Sequence, residues 1–297
     1  MILERPIRQA GRVPPPEPHH IVACGRYRLK LSEKTQVMGI INITPDSFSD
    51  GGAYFDRSQA LRRIEEIDRE GADIIDIGGE STRPGALEVS REEELDRVIP
   101  IVEKASRQFD KPISIDTRKA EVAEEALKAG ATIVNDISGL RHDPRMGKVV
   151  AHYEAAVIIM HMRGEPRTMQ NDPRYDDLMG EILEELAQSA AAALESGIGR
   201  EKIIIDPGIG FGKTARHTME ILKRLGELKS IGYPIAIGTS RKSFIGTITG
   251  RDVHDRLWGS VASAVIAVLH GANIIRAHDV RQTVDAVKVA DAIIRSC

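Results

Sequence analysis

The chain has 297 residues, 41% of them hydrophobic, and a formal net charge of −3. That length and apolar content suffice for one α/β barrel or two smaller domains. The charge balance excludes a general field for nucleic acid but leaves room for a local basic pocket, and no apolar run reaches the roughly 20 residues of a membrane span.

Residues 1–20 mix Arg5, Arg8 and Arg12 with Pro14-Pro15-Pro16 and His19-His20, and read as a disordered N-terminal extension. The two histidines have no third ligand nearby and are not taken as a metal site. With no apolar signal core at this end, a cytoplasmic protein is expected. Cys24 and Cys297 are far apart and lack metal spacing, which fits free thiols in a reducing compartment. Residues 21–36 alternate apolar and polar side chains around Gly25, as a short hairpin would, placed to close the underside of a barrel. From there to residue 297 no linker-like composition appears, so 21–297 reads as one domain.

Residues 38–52 change character midway. Met38 to Ile43 is apolar apart from Asn42, as in a strand buried on both faces. Thr44 onward is turn chemistry: Pro45, Asp46, Ser47, Ser49 and Gly51-Gly52. A polar side chain at the end of an apolar strand, followed by a polar loop, puts a functional group at the mouth of a sheet or barrel.

The pattern recurs. Apolar β-type runs occur at 37–43, 73–77, 112–115, 132–137, 156–160, 203–205, 234–237 and 272–275. Helix-like segments lie between them: 57–70, 90–108 with Ser90 and Glu93 as a capping box, 119–129, 143–152, 175–196, 215–230, 253–270 and 280–296. Eight strand-then-helix units imply parallel strands with right-handed crossovers, and at this length a single (β/α)8 TIM barrel. An open doubly wound sheet is the structural alternative.

Active sites of such barrels form where the strands end at their C-terminal side. Polar groups stand at all eight ends here, among them Asn42, Asp116, Asn135-Asp136, His161, Asp206, Lys242, Arg276 and His278. Singly each has a plain structural explanation: Asp116 or Asp136 as a helix cap, His161 as a supporting residue, Arg276 as an ion-pair partner of Asp279. Jointly they are costly unless they satisfy one another or a ligand. Asp116, Asn135 and Asp206 can read a heterocycle edge rich in N–H donors. Lys242, Arg276 and His278 can read acceptors or phosphate. Arg276 and His278 lie two apart, so on a strand they share a face, and an anion held there would raise the pKa of His278.

The run Gly208-Ile209-Gly210-Phe211-Gly212-Lys213-Thr214 looks like a nucleotide loop, but Pro207 stands where that pattern needs its first glycine. A flexible loop over the mouth, with Phe211 covering an aromatic ligand, is the better reading.

Taken together, the sequence resembles the dihydropteroate synthases over residues 37–290. The resemblance rests on 38–52, Gly78-Gly79-Glu80-Ser81-Thr82-Arg83-Pro84-Gly85, Asn135-Asp136-Ile137, Met160-His161-Met162, Asp206-Pro207-Gly208, Ser240-Arg241-Lys242-Ser243 and Arg276-Ala277-His278-Asp279. It implies a condensation of (7,8-dihydropterin-6-yl)methyl diphosphate with 4-aminobenzoate to 7,8-dihydropteroate, with release of pyrophosphate and with Mg²⁺. It also implies roles. Asp116, Asn135, Met160, Asp206, Phe211, Gly238 and Lys242 would hold the pterin. Asn42, Arg276 and His278 would take the diphosphate, Asn42 helping to hold Mg²⁺. Phe48, Thr82, Pro84 and Ser243 would line the 4-aminobenzoate pocket. Asp50 and Arg83, on two mobile loops, would pair or assist closure, joining Lys242, Arg276 and His278 in the catalytic set. The family is usually homodimeric, and the segment 253–270 is apolar enough to pack on the barrel or on a partner. Two rivals stand beside this reading: a pterin-binding methyltransferase using methyl-tetrahydrofolate, which has no use for a diphosphate pocket, and a pterin-binding protein without catalysis.

Overall fold

Eight parallel strands curl until the first and last meet. The computed structural model of the chain describes residues 21–44, 57–81, 86 and 88–296. An antiparallel hairpin, β1 (Ile21–Cys24) and β2 (Tyr27–Lys30), precedes the barrel strands. These are β3 (Gln36–Asn42), β4 (Ile74–Gly78), β5 (Ile113–Asp116), β6 (Ile133–Asp136), β7 (Ala156–Met160), β8 (Ile203–Asp206), β9 (Ala236–Ile237) and β10 (Ile274–Ala277). They hydrogen-bond in the order β8-β7-β6-β5-β4-β3-β10-β9. A bridge between Ile205 and Ile235 joins the two ends, and Ile205 N–H donates to the Pro234 carbonyl at 2.9 Å. This closure removes the open-sheet alternative.

The helices are α1 (Arg57–Arg69), α2 (Arg91–Gln108), α3 (Ala120–Lys128), α4 (Met146–His152), α5 (Leu178–Glu195), α6 (Ala215–Arg224), α7 (Ser243–Thr249), α8 (Leu257–Leu269) and α9 (Val280–Arg295). Most follow the sequence periodicity, with four departures. The segment 215–230 splits, α6 giving way to a 3₁₀ turn at Leu225–Ile231 that contains Gly226. The segment 253–270 likewise divides into a 3₁₀ turn, Val253–Asp255, and α8. Helix α7 was not expected, because Ile245, Gly246, Thr247, Ile248 and Thr249 are weak helix formers. It forms because Phe244 and Ile245 are buried. At α2, Ser90 Oγ accepts from the Glu93 N–H at 3.2 Å, but the Glu93 carboxylate engages Arg97, so half of the expected capping box is missing. A complete box sits instead at Thr214 and His217.

Strand alternation sorts the side chains. Outward residues such as Ile41, Ile75, Ile115, Val134, Val157, Ile205 and Ile275 pack with the helices. The inward bottom layer is Met38, Ile74, Ile133, Ile158, Ile204 and Ile274, and it packs against Val22, Cys24, Leu29 and Leu31 of the hairpin segment. The hairpin therefore plugs the underside, as its alternation predicted. Higher along most of the strands the inward residues turn polar, as at Asp76, Ser114, Asn135, Asp206 and Arg276.

Candidate active site

That polar layer begins with Asp76 in β4, fully buried, and Ser114 in β5, also fully buried. Above them stand Asn42 at the end of β3, Asp116 at the end of β5, Asn135 in β6, Met160 at the end of β7 and Asp206 at the end of β8. Strand register sets Asp116 beside Asn135, Met160 beside Asp206 and Asn42 beside Gly78. Gly238 follows β9, Lys242 caps the N-terminus of α7, Arg276 lies in β10 and His278 directly after it. Gly238 lies against Arg276, where an added Cβ would be in ordinary contact with the Arg276 Cβ at 3.6 Å. The barrel thus brings to one rim the described residues assigned to pterin and diphosphate.

The centre of the site is an ion cluster. Arg276 donates to Asp76 Oδ2 at 2.6 Å and to Asp116 Oδ2 at 2.5 Å. Asp279, the partner suggested by sequence, pairs with Arg241 instead. Asp76 is the residue that sequence reading missed. Its signal was an acid in the middle of the apolar run Ile74-Ile75-Asp76-Ile77, at an inward position. Three buried polar atoms here have no hydrogen-bond partner: Asp76 Oδ1, Asp116 Oδ1 and Ser114 Oγ. Orphaned acceptors in a polar cavity mark a place for a donor-rich ligand.

Burial and charge tune these groups against one another. Asp206 is pushed up to about 6 by burial, opposed by the Gly208 N–H bond to its Oδ1 at 2.7 Å and by Lys242 and Arg276. Asp116 is raised as well, by burial above all, with Arg276 pulling down and Asp76 pushing up. Lys242 is lowered to about 8 by burial and by Arg276, with Asp206 and Asp116 opposing. Its ammonium lies 4.2 Å from the centre of the Phe211 ring. Phe211 in turn packs with Ile137, Met160, Met162 and Met169 in an apolar wall. A flat, nitrogen-rich ring fits a slot with carboxylates at one edge and sulfur and aromatic surface on its faces.

His278 takes its state from its protein neighbours. Its own surroundings push it down to about 3, through burial first and then Arg276 and Arg241, so the imidazole is neutral. Ser240 Oγ accepts from the His278 backbone N–H at 3.2 Å and lies 3.1 Å from Nδ1. The hydroxyl can donate to Nδ1, and in that tautomer Nε2–H is left as a donor.

His161 is a supporting residue, as the plain reading held: it is buried, with Nδ1 at 2.8 Å from Lys213 Nζ. Asp136 likewise serves its own loop, accepting from Ser138 N–H, Ser138 Oγ and Leu140 N–H. The glycine-rich loop is not the free flap expected. Tyr175 donates to the Gly212 carbonyl at 2.9 Å, and Gln170 bonds the Gly210 carbonyl. Ser243 is exposed at the start of α7, one residue from Lys242. Phe48, Asp50, Thr82, Arg83 and Pro84 lie outside the described residues. Beside the mouth, a cavity of about 360 Å³ is lined by Arg118, Arg141, Arg163, Glu165 and Glu185. Its arginines are already spent on glutamates.

A barrel mouth that pairs carboxylates and amides with an apolar slot is what a pterin binding enzyme needs, and the family model of that description matches residues 38–278. Within that class, the chain belongs to the dihydropteroate synthase family. It is 47% identical over 283 residues to the dihydropteroate synthase of Synechocystis, covering 95% of this chain and 96% of that one. The Yersinia pestis dihydropteroate synthase, solved as a sulfonamide drug complex, superposes with a TM-score of 0.88 at 45% identity, over 93% of this chain and 100% of that one. The Xanthomonas albilineans enzyme, solved with 7,8-dihydropteroate, gives 0.84 at 40% identity, over 93% and 99%.

Proposed function

We propose that this barrel mouth joins 4-aminobenzoate to the methylene carbon of (7,8-dihydropterin-6-yl)methyl diphosphate, releasing pyrophosphate and 7,8-dihydropteroate. The observation that carries the reading is the shared ion cluster, in which one guanidinium, Arg276, stands between the carboxylates of the ring site and the position for a diphosphate. Relatives solved with a sulfonamide and with 7,8-dihydropteroate support it.

The side chains divide the work. Asp206 accepts from the ring N–H and exocyclic amine together, Asn135 reads the adjoining edge, and Lys242 donates to ring acceptors. Met160 and Phe211 hold the ring flat. As the carbon–oxygen bond to the diphosphate breaks, positive charge spreads into the pterin, where Asp116 and Asp206 stabilise it. Negative charge collects on the departing pyrophosphate, where Arg276 and the His278 Nε2–H stabilise it. Both fields are fixed in place beforehand. The arylamine attacks the carbon with its lone pair, forming the carbon–nitrogen bond as the carbon–oxygen bond is lost. The resulting ammonium gives up one proton to the released pyrophosphate or to water, so no strong base is needed before attack.

The described residues include no group of three His, Cys, Asp or Glu side chains placed to hold a metal. Half-buried Asn42 supplies one amide oxygen at the rim, a donor set that fits Mg²⁺ carried mainly by phosphate oxygens and water. Such an ion would add charge neutralisation to the leaving group. Lys242 and the Arg276/His278 pair favour this reaction over methyl transfer.

Two coarser facts extend to proposals. No helix of the described residues is long and apolar enough to cross a membrane, in keeping with a cytoplasmic enzyme. A homodimer is supported by exposed Trp258, Ile266 and Leu269 on α8 and Val289 and Ile293 on α9. Sedimentation would show it as twice the chain mass.

The deciding experiment is a pyrophosphate assay with both substrates, with and without Mg²⁺. Pyrophosphate formed only when 4-aminobenzoate is added, together with dihydropteroate, supports the reading; its absence rejects it. In the same assay Arg276→Ala should turn over roughly 10²-fold more slowly.

A further inference from the structure

Lys213 looked like the lysine of a nucleotide loop, yet only 3% of it is exposed. Its ammonium has three donors and meets three acceptors: His161 Nδ1 at 2.8 Å, the Phe211 carbonyl at 3.0 Å and the His161 carbonyl at 3.3 Å. No N–H remains for a phosphate. A buried cation is expensive, and an apolar side chain of the same length would fill the space at less cost. Some other demand keeps it there.

The acceptors say what that demand is. His161 follows Met160 at the end of β7, and Phe211 sits in the loop after Asp206 at the end of β8. The same two chain ends are stitched by the His161 N–H to the Asp206 carbonyl at 2.9 Å, while the Gly208 N–H to Asp206 Oδ1 bond folds the loop back on the end of β8. We propose that Lys213 is a positioning residue of the pterin cradle: its ammonium locks the end of β7 to the loop after β8, so that Met160, Phe211 and Asp206 hold one geometry before the ring arrives. This rests on the pterin reading of the site above.

Two features fit the lock. His161 is kept neutral by burial and by Lys213 itself, which leaves Nδ1 as an acceptor and puts the proton on Nε2, 3.4 Å from Glu185. The charge of Lys213 also reaches Asp206, adding to Lys242 and Arg276 in favouring the carboxylate. Burial, with Arg163 and Lys242 adding and Asp206 and Glu185 opposing, lowers Lys213 itself to about 7, so the three-donor ammonium is the form that prevails below that pH.

The test is calorimetric titration with 6-hydroxymethylpterin, beside pyrophosphate kinetics and thermal unfolding. Wild type comes first: no pterin binding and no pyrophosphate release would defeat the proposed function itself. Given a competent wild type, Lys213→Met should weaken pterin binding about tenfold or more while the KM for 4-aminobenzoate stays within about threefold. The acid limb of pterin binding should also move to higher pH. Pterin affinity within about twofold of wild type, or equal losses for both substrates, overturns the proposal. Should Lys213→Met fail to fold, the His161 pair decides. His161→Leu removes the Nδ1 acceptor, whereas the carboxamide oxygen of His161→Asn sits near that position, so Asn should recover most of the affinity that Leu loses. Equal affinity in the two variants overturns the lock.

Discussion

Asp76 and Arg276 meet at 2.6 Å inside the barrel, reaching past the intervening strand β3. The aspartate is wholly buried, and its second oxygen has no partner. Arg276 thus arrives at the substrate already anchored from below, with Asp116 fixing its other side. Such preorganisation is worth more than charge alone, since the cation has no reorientation to perform when the leaving group departs.

Asp76→Ala tests the anchor. It leaves a buried guanidinium with one partner where two stood, so stability should fall by about 3–5 kcal/mol. Asp76→Asn keeps an acceptor of the same shape and should cost less. Urea unfolding followed by circular dichroism would rank the two, and a reversed order would show that keeping an acceptor of that shape is not what Asp76 supplies.

The pH dependence of ligand binding follows from Asp206. Its folded pKa of about 6 lies above the ordinary 3.8, so between those values the folded chain keeps a proton the unfolded chain has lost. The sign is that of a raised acid: this group's share of stability is whole below pH 3.8 and is lost as pH rises through 6. Pterin recognition runs the other way, because only the carboxylate accepts from two N–H groups at once. This group's contribution to affinity should therefore fall toward tenfold per unit below about pH 6. Calorimetry across that range would show it; a flat profile would remove Asp206 from edge recognition.

How far the sequence alone reached is best seen at particular residues. The alternation of Tyr27, Leu29 and Leu31 announced the hairpin and its place under the barrel, because a strand buried on one side must repeat every second residue. Asn42, Asp206 and His278 were legible because each ends an apolar run, where a polar residue is conspicuous. Asp76 was not, since it lies inside such a run and only its partner, 200 residues away, explains it. Lys213 was read as a loop residue because burial of a long side chain depends on acceptors contributed by β7. The neutral state of His278 could not be read from spacing for a related reason: burial and then Arg276 and Arg241 hold its pKa down, and none of these is visible in the sequence.

The underside plug offers a change that should touch stability and not chemistry. Leu31 is 1% exposed and packs with the bottom layer, a long way along the strands from Asp116. Leu31→Ala removes a buried isobutyl group and should cost about 2–5 kcal/mol. Pterin affinity measured below the unfolding transition should be unaltered. A large drop in affinity would mean that the lower layers govern the geometry of the rim.

Gly208 is the most restrictive position of the cradle. Its φ is +69°, and a Cβ built there would lie 1.9 Å from the His161 carbonyl oxygen. Left-handed backbone alone costs a non-glycine residue roughly 1–2 kcal/mol. The larger penalty is steric, because the obstacle is main chain and cannot rotate away. Either the loop must lift from β7 or the end of β7 must shift, and both movements carry Asp206 away from the ring edge. Gly208→Ala should therefore lose pterin binding out of proportion to its loss of stability. Comparing pterin titration with the thermal midpoint would test this. Near-normal affinity in a folded Gly208→Ala protein would show that the close approach to His161 is dispensable.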